Sequence, residues 1–161
     1  MAKGTAAARE RKSVIADIEA ARGSKVLVYV TGDRTGLPPA RIGEDAVRPM
    51  YDHLLAMSGD GPVENVDLFL YSRGGDVSVP WRIVSMIREF CTNYRVLIPY
   101  KAHSAATMIS LGADEIVMGR KAELGPIDPT LSRVAQAEGT VPPPEISVED
   151  VSSYVSFMKD R

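Results

Sequence analysis

Apolar, β-rich runs alternate along this chain with segments whose apolar residues recur at helical spacing. The runs predict strands near residues 25–31, 66–72, 94–100 and 115–118. The helical spacings predict helices near residues 7–22, 44–57, 77–91 and 104–113. Alternation of this kind favours an α/β fold with a mainly parallel sheet, in which ligands gather at the carboxyl ends of the strands.

Spacing also predicts which helical residues face the core. On the helix at 44–57 we expect an inward face made of Val47, Met50, Tyr51, Leu54 and Leu55. On the next helix, Trp81 and Met86 are expected to be core residues rather than ligand contacts. The short helix at 104–113 is almost wholly apolar, so we expect it to be buried on all sides.

The pattern changes after residue 125, where prolines replace the periodic segments. Residues 132–146 predict a mobile loop. Residues 147–160 predict a terminal helix that Ser147 caps. We see no repeat and no second domain, so the expectation is a single domain over residues 1–161.

Composition narrows the functional classes. The chain is 45% hydrophobic and 25% charged with a net charge of −2, which is typical of a globular protein and offers no basic field for nucleic acid. One cysteine, Cys91, and two histidines argue against a cysteine- or histidine-rich metal centre, and we expect neither a metal nor a cofactor. No apolar run reaches the roughly 20 residues of a membrane span, and the first residues lack a signal-peptide pattern, so we expect a cytoplasmic protein.

The most informative chemistry stands at two predicted strand ends. Gly74 and Gly75 end the run LFLYSRGG, and Ser104 begins the apolar helix after VLIPYKAH. Backbone N–H groups of Gly75 and Ala105 are candidate oxyanion donors beside a Ser104 nucleophile. The alternative interpretation is that the glycines form only a turn and that Ser104 is only a helix N-cap.

Three segments, in order, resemble the ClpP/SppA/crotonase superfamily, and most closely the serine dehydrogenase proteinase family, a ClpP-like group. They are LFLYSRGGDV, KAHSAATMISLGADEIVMG and ELGPIDPTL. The resemblance implies a ClpP/crotonase-like spiral of β-β-α units, a homo-oligomer and peptide hydrolysis. By position it implies Ser104 as nucleophile and the backbone of Gly74, Gly75 and Ala105 as the oxyanion hole.

The general base is where the chain departs from the ClpP pattern. Asp128 stands about where ClpP peptidases carry a histidine, and it is a candidate base, a candidate orienting residue or a turn former. SppA-like peptidases use a lysine, for which Lys121 and Lys159 are the alternatives; a lysine must be desolvated to act as a base. His103 adjoins Ser104, but we expect it to be a packing or helix-start residue.

The leading hypothesis is a serine-type endopeptidase acting by acyl transfer on a peptide or protein substrate. The alternatives are an inactive ClpP-like scaffold that binds peptides, which the missing histidine favours, and a crotonase-like acyl-thioester enzyme. The resemblance identifies no ATPase or adaptor partner.

Overall fold

The computed structural model describes residues 2–33, 36, 40–59, 61–127, 130–131 and 146–147. The helices are α1 Ala2–Arg22, α2 Val47–Ser58, α3 Val79–Phe90 and α4 Ala105–Leu111, with a 3-10 turn at Glu44–Ala46. The strands are β1 Lys25–Val30, β2 Val63–Tyr71, β3 Cys91–Ile98, β4 Lys101–Ala102, β5 Glu115–Met118, β6 Glu123–Leu124, β7 Thr130–Leu131 and β8 Ile146–Ser147.

The chain divides into two compact units, Met1–Gly125 and Pro126–Arg161. In the second unit, β7 and β8 pair antiparallel. Ser147 is the last residue of β8, and its role as a helix cap stays a prediction because the residues that follow it lie outside the described part of the chain. The predicted loop at 132–146, apart from Ile146, and the rest of the predicted terminal helix lie outside the described residues.

The first unit is built on a four-stranded parallel sheet in the order β1-β2-β3-β5. Its parallel pairing confirms the α/β fold class. All four predicted strands are present, and β2 and β3 each begin three residues before the predicted start. The extra residues pair with each other: Val63 lies opposite Cys91, and the side-chain amide of Asn93 donates to Asn65. Polar residues such as Asn65 and Asn93 extend the paired strands, but they form no apolar run in the sequence from which the extension could be predicted.

The core lies on one face of the sheet, under α2, α3 and α4. Side chains alternate along a strand, so Leu68 and Leu70 enter this core while Phe69 points to the opposite face. From the helices, Leu54, Ile83 and Ile109 fill the core and are fully buried.

The opposite face of the sheet is partly covered by α1. Its residues Val14, Ile15 and Ile18 line a groove of ≈ 460 Å³ together with Val28 and Phe69. The end of α1 is tied to the sheet through Asp67, a fully buried carboxylate on β2. Asp67 accepts hydrogen bonds from Arg22 and, at 2.6 Å, from Arg95.

Helical spacing predicted three exposures wrongly. Trp81 is 78% exposed, Leu55 is 52% exposed and Tyr51 is 38% exposed. The short helix α4 is also not buried on all sides, because Leu111 at its last turn is exposed. Spacing tells which residues share a face, but only packing decides how wide a face the neighbouring elements cover.

A second, smaller layer of pairings continues from the carboxyl ends of the main strands. Ile42 bridges Gly75, Ser72 bridges Ala102, and β4 pairs parallel with β6. The succession β3, β4, α4 is thus one β-β-α unit. This layer folds the residues that follow β2 against those that follow β3.

Candidate functional site

The glycine turn and the serine segment meet directly. A Cβ built on Gly74 would lie 2.7 Å from Ser104 Cβ and 3.3 Å from Ser104 Oγ. The bridge between Ser72 and Ala102 produces this contact, because Ser72 N donates to Lys101 O at 3.0 Å and His103 N donates to Ser72 O at 3.1 Å. The sequence expectation that the two strand ends share one site agrees with this geometry.

Ser104 has an unusual backbone. Its φ is 52° and its ψ is −118°, and it is the only non-glycine residue with positive φ in the described part of the chain. A non-glycine residue in such a region costs on the order of 1–3 kcal/mol and persists only where its surroundings fix it. Here those surroundings are the start of α4, where Met108 N donates to Ser104 O at 3.1 Å, and the glycine turn.

The Ser104 side chain is not used as a helix cap. Ser104 occupies the N-cap position of α4, but its hydroxyl makes no capping hydrogen bond. Within the described residues the hydroxyl has no hydrogen-bond partner, and the residue is partly exposed. The interpretation of Ser104 as an ordinary N-cap therefore has no support in its hydrogen bonding.

The backbone N–H groups of Gly75 and Ala105, both near Ser104, have no acceptor among the described residues. In the bridge at Gly75, Ile42 N donates to Gly74 O and Asp76 N donates to Ile42 O, both at 2.9 Å. The N–H of Gly75 takes no part in these hydrogen bonds and points away from Ile42. Ala105 is the first residue of α4, whose first N–H groups have no partner inside the helix.

Both glycines are required by space, for different reasons. Gly74 has φ 104° and faces Ser104. At Gly75 a Cβ would overlap the backbone of Ile42, with the Ile42 carbonyl carbon at 2.8 Å. The turn then passes into α3 through Asp76, whose Oδ1 accepts the Ser78 N–H at 2.8 Å. The hydrogen bond from the Ser78 hydroxyl, and after it the one from the Ser78 N–H, hold the pKa of Asp76 below its usual range.

His103 faces away from Ser104. Alternation along the extended segment after β3 puts Lys101 and His103 on one side, where both contact Glu123: Lys101 Nζ at 3.2 Å and His103 Nε2 at 3.0 Å. The hydrogen bond from Lys101 is the main reason that the pKa of Glu123 is lowered. His103 also packs against Gly125. These contacts agree with the expectation that His103 is a packing residue.

Of the three predicted base candidates, only Lys121 is described. It lies exposed in the turn between β5 and β6, so nothing there removes water from its ammonium group. Asp128 and Lys159 lie outside the described residues. No described side chain takes the place of a base at the Ser104 hydroxyl.

Arg73 is occupied by a neighbouring carboxylate. Its guanidinium donates twice to Asp33, at 2.6 and 3.0 Å, and the Tyr71 hydroxyl donates to the same carboxylate at 2.7 Å. The hydrogen bond from Arg73 is the largest reason that the pKa of Asp33 is lowered. The hydrogen bonds among Asp33, Tyr71 and Arg73 thus fix the backbone just before the glycine turn.

Sequence reasoning missed three residues that shape the site: Thr31, Ile42 and Ser72. Ile42 sits in a proline- and glycine-rich stretch that predicts only a loop, yet its backbone pairs with the glycine turn. Ser72 is the polar residue that follows an apolar run two positions before Gly74, and this position was the one signal available.

These features define an α/β protein with a parallel sheet, in which a two-glycine turn at the strand ends contacts a serine at the start of a buried helix. The chain belongs to the ClpP-like SDH-type serine proteinase family, whose model matches residues 2–141. Family membership confirms the predicted resemblance.

Two uncharacterised proteins of Methanocaldococcus jannaschii are similar to this chain. One is 37% identical over 68 residues, which is 42% of this chain and 24% of the relative. The other is 33% identical over 72 residues, 45% of this chain and 25% of the relative. The chain thus spans about a quarter of the length of the curated relatives that it matches.

Among solved structures, the ClpP protease catalytic domain of Plasmodium falciparum matches at a TM-score of 0.46 and 14% identity, over 69% of this chain and 54% of that one. The ClpP1 N165D mutant of Listeria monocytogenes matches at a TM-score of 0.45 and 19% identity, over 55% of this chain and 46% of that one. No helix in the described part of the chain is long and apolar enough to cross a membrane.

Proposed function

We propose that this chain is a serine-type peptidase that hydrolyses peptide bonds by acyl transfer through Ser104. The observation that carries the proposal is the state of Ser104: a strained backbone, a hydroxyl that no described group occupies, and direct contact with Gly74. Strained residues cluster at functional sites because their geometry is useful there. Membership in a serine proteinase family supports the same reading.

The N–H groups of Gly75 and Ala105 are the proposed oxyanion donors. Both lack acceptors among the described residues, and both adjoin residues in contact, Gly74 and Ser104. Ala105 adds the positive end of the α4 peptide dipoles. Gly74 contributes by its lack of a side chain, which leaves Ser104 room beside the turn. Donors fixed before the reaction are effective because they need no rearrangement as negative charge develops.

In the proposed reaction, Ser104 Oγ forms a bond to the peptide carbonyl carbon and loses its proton to a base. The carbonyl oxygen becomes an oxyanion between the two N–H groups. The C–N bond then breaks as the amine leaves with a proton from the protonated base, and water hydrolyses the acyl ester on Ser104. No metal or cofactor enters these steps.

We propose that the base is one of Asp128, Lys121 and Lys159. Asp128 is our first choice, as base or as orienting residue, because of its position in the family pattern. The exposed position of Lys121 keeps its ammonium group hydrated and charged, which argues against Lys121 as the base. A peptide or protein substrate, assembly into a homo-oligomer and a cytoplasmic location are parts of the same proposal.

Hydrolysis of a fluorogenic peptide library by matched variants tests the proposal. Ser104→Ala should abolish turnover, whereas Ser110→Ala should not, because the buried Ser110 hydroxyl donates to Ala106 O within α4 and takes no part in the proposed reaction. The base is then identified by a second set of variants: Asp128→Asn, Lys121→Met and Lys159→Met. The variant that lacks the base should lose turnover to the same level as Ser104→Ala. Full hydrolysis by Ser104→Ala would contradict the peptidase and leave an acyl-thioester enzyme or a peptide-binding scaffold.

A further inference from the structure

Two buried hydroxyls stand behind the glycine turn. Thr31 Oγ1 donates to Ser72 Oγ at 2.6 Å, and Ser72 Oγ accepts the N–H of Gly74 at 3.0 Å. The Ser72 hydroxyl itself reaches the carbonyl oxygen of Gly74 at 3.4 Å. Because a hydroxyl has one donor and two acceptor positions, all three positions of Ser72 are in use.

Burial makes this hydroxyl pair hard to replace. Ser72 is 0% exposed and Thr31 is 6% exposed. A buried polar group that loses its partner cannot form a hydrogen bond to water instead, so the loss costs free energy. This cost favours the geometry in which the two hydroxyls keep their hydrogen bonds. Thr31 N also donates to Tyr71 O at 2.9 Å, which fixes the end of β1 beside the end of β2.

The consequence reaches Gly75 through peptide geometry. The carbonyl oxygen of Gly74 and the N–H of Gly75 belong to one planar peptide group, and the described chain contains no cis peptide bond. The two therefore point in opposite directions. Whatever holds Gly74 also aims the Gly75 N–H. Ile42 N holds the Gly74 carbonyl at 2.9 Å, while Ser72 Oγ holds the Gly74 N–H at 3.0 Å and adds a longer contact, at 3.4 Å, to the Gly74 carbonyl.

Glycine needs such an external restraint. Gly74, at φ 104°, and Gly75 carry no side chains that would limit rotation of the peptide between them. An oxyanion donor, in contrast, has to lie within a few tenths of an ångström of its place, at about 2.7–3.1 Å from the developing charge.

We infer that Ser72 is a positioning residue for the reaction and that Thr31 supports it from behind: the pair fixes the peptide plane that presents the Gly75 N–H to the oxyanion. This inference rests on the proposed function, since it takes the Gly75 N–H as a donor to the transition state. Neither Ser72 nor Thr31 touches the reacting atoms.

Kinetics separate a positioning role from a general loss of structure. Ser72→Ala should lower kcat by about 10- to 100-fold with KM within about threefold of wild type, because misplacement of a catalytic group by about 1 Å costs on the order of 100-fold. It should weaken binding of a peptide boronate, a transition-state mimic, by the same factor. Thr31→Val should show a smaller loss of kcat, and Thr31→Ser should retain more activity than Thr31→Val because it keeps the hydroxyl. Ser110→Ala is the matched control for removing a buried serine hydroxyl.

Amide hydrogen exchange measured by NMR tests the hydrogen bond between Ser72 and the Gly74 amide independently of catalysis. In Ser72→Ala the Gly74 amide should exchange at least about tenfold faster than in wild type, because its acceptor is gone, and the Gly75 amide resonance should shift. In Ser110→Ala both amides should keep their wild-type behaviour. A Ser72→Ala protein with wild-type kcat and unchanged Gly74 exchange would overturn the inference, as would a loss confined to KM.

The two proposals fail in different ways. A wild-type chain that hydrolyses no peptide and binds no boronate would contradict the proposed function. In that case accelerated Gly74 exchange in Ser72→Ala would still support the positioning of the turn, and unchanged exchange would overturn it.

Discussion

Gly74 and Ser104 are in such close contact that a Cβ on the glycine would stand 2.7 Å from the Cβ of the serine. Residues thirty positions apart meet here because the segments after β2 and β3 pair through Ser72 and Ala102. Because of this contact, a substitution that distorts the glycine turn should also displace the proposed nucleophile.

Gly74→Ala should therefore impair both stability and activity. The added methyl group would meet Ser104 and the His103 carbonyl, at 2.8 Å, and the backbone would have to keep φ 104°. We expect destabilisation of about 1–3 kcal/mol and loss of peptide hydrolysis. Thermal or urea unfolding measures the first. Gly61→Ala, where a Cβ meets nothing within 4 Å, is the control and should stay within about 0.5 kcal/mol of wild type.

Gly75→Val should also abolish hydrolysis, because it would disrupt the backbone pairing that holds the glycine turn. Its Cβ would overlap the Ile42 backbone, so the pairing of Ile42 with the turn must break. Hydrogen exchange at Ile42 and Asp76, whose N–H groups belong to this bridge, should accelerate in Gly75→Val. Protected amides at both positions, together with full activity, would contradict this explanation.

Ser104→Ala and Ser104→Gly should separate chemistry from strain. Both remove the hydroxyl and should abolish hydrolysis, but only glycine adopts φ 52° without a Cβ penalty. We expect Ser104→Gly to be more stable than Ser104→Ala by about 1 kcal/mol, after the larger entropy of the unfolded glycine chain is taken into account. Equal unfolding free energies would argue that Ser104 is not strained.

Asp114 should make stability depend on acid pH. It accepts hydrogen bonds from Arg88 and from the Tyr94 N–H, both at 2.8 Å, and these lower the pKa of its carboxyl group, the Arg88 bond most. A carboxylate whose folded-state pKa is lowered stabilises the fold above its unfolded pKa, about 3.9, and that contribution is lost as pH falls through the lower folded pKa. The free energy of unfolding should therefore fall between pH 6 and about pH 3 in wild type, and it should fall by less in Asp114→Asn. Identical pH slopes in the two proteins would count against this role.

The sequence predicted the main sheet because each of its strands contains an apolar run. It predicted that the glycine turn and Ser104 lie close together because strand ends of a parallel sheet meet at one edge. It missed β4 and β6, since strands of two residues carry no periodicity. It placed Trp81 in the core because spacing does not reveal how much of α3 its neighbours cover. The Thr31–Ser72 hydroxyl pair left no pattern at all, because it joins residues from two strand ends that only the sheet brings together.

The central claim is that Ser104 is an activated nucleophile, and labelling by an alkyl fluorophosphonate tests it most directly. The probe forms a stable bond only with a serine whose hydroxyl is activated and whose oxyanion is stabilised. Wild-type protein should be labelled at Ser104 within the tryptic peptide 102–120, and Ser104→Ala should not be labelled, whereas Ser110→Ala should be labelled at Ser104 as in wild type. Wild-type protein that is correctly folded and remains unlabelled, or is labelled at another serine, would contradict the account.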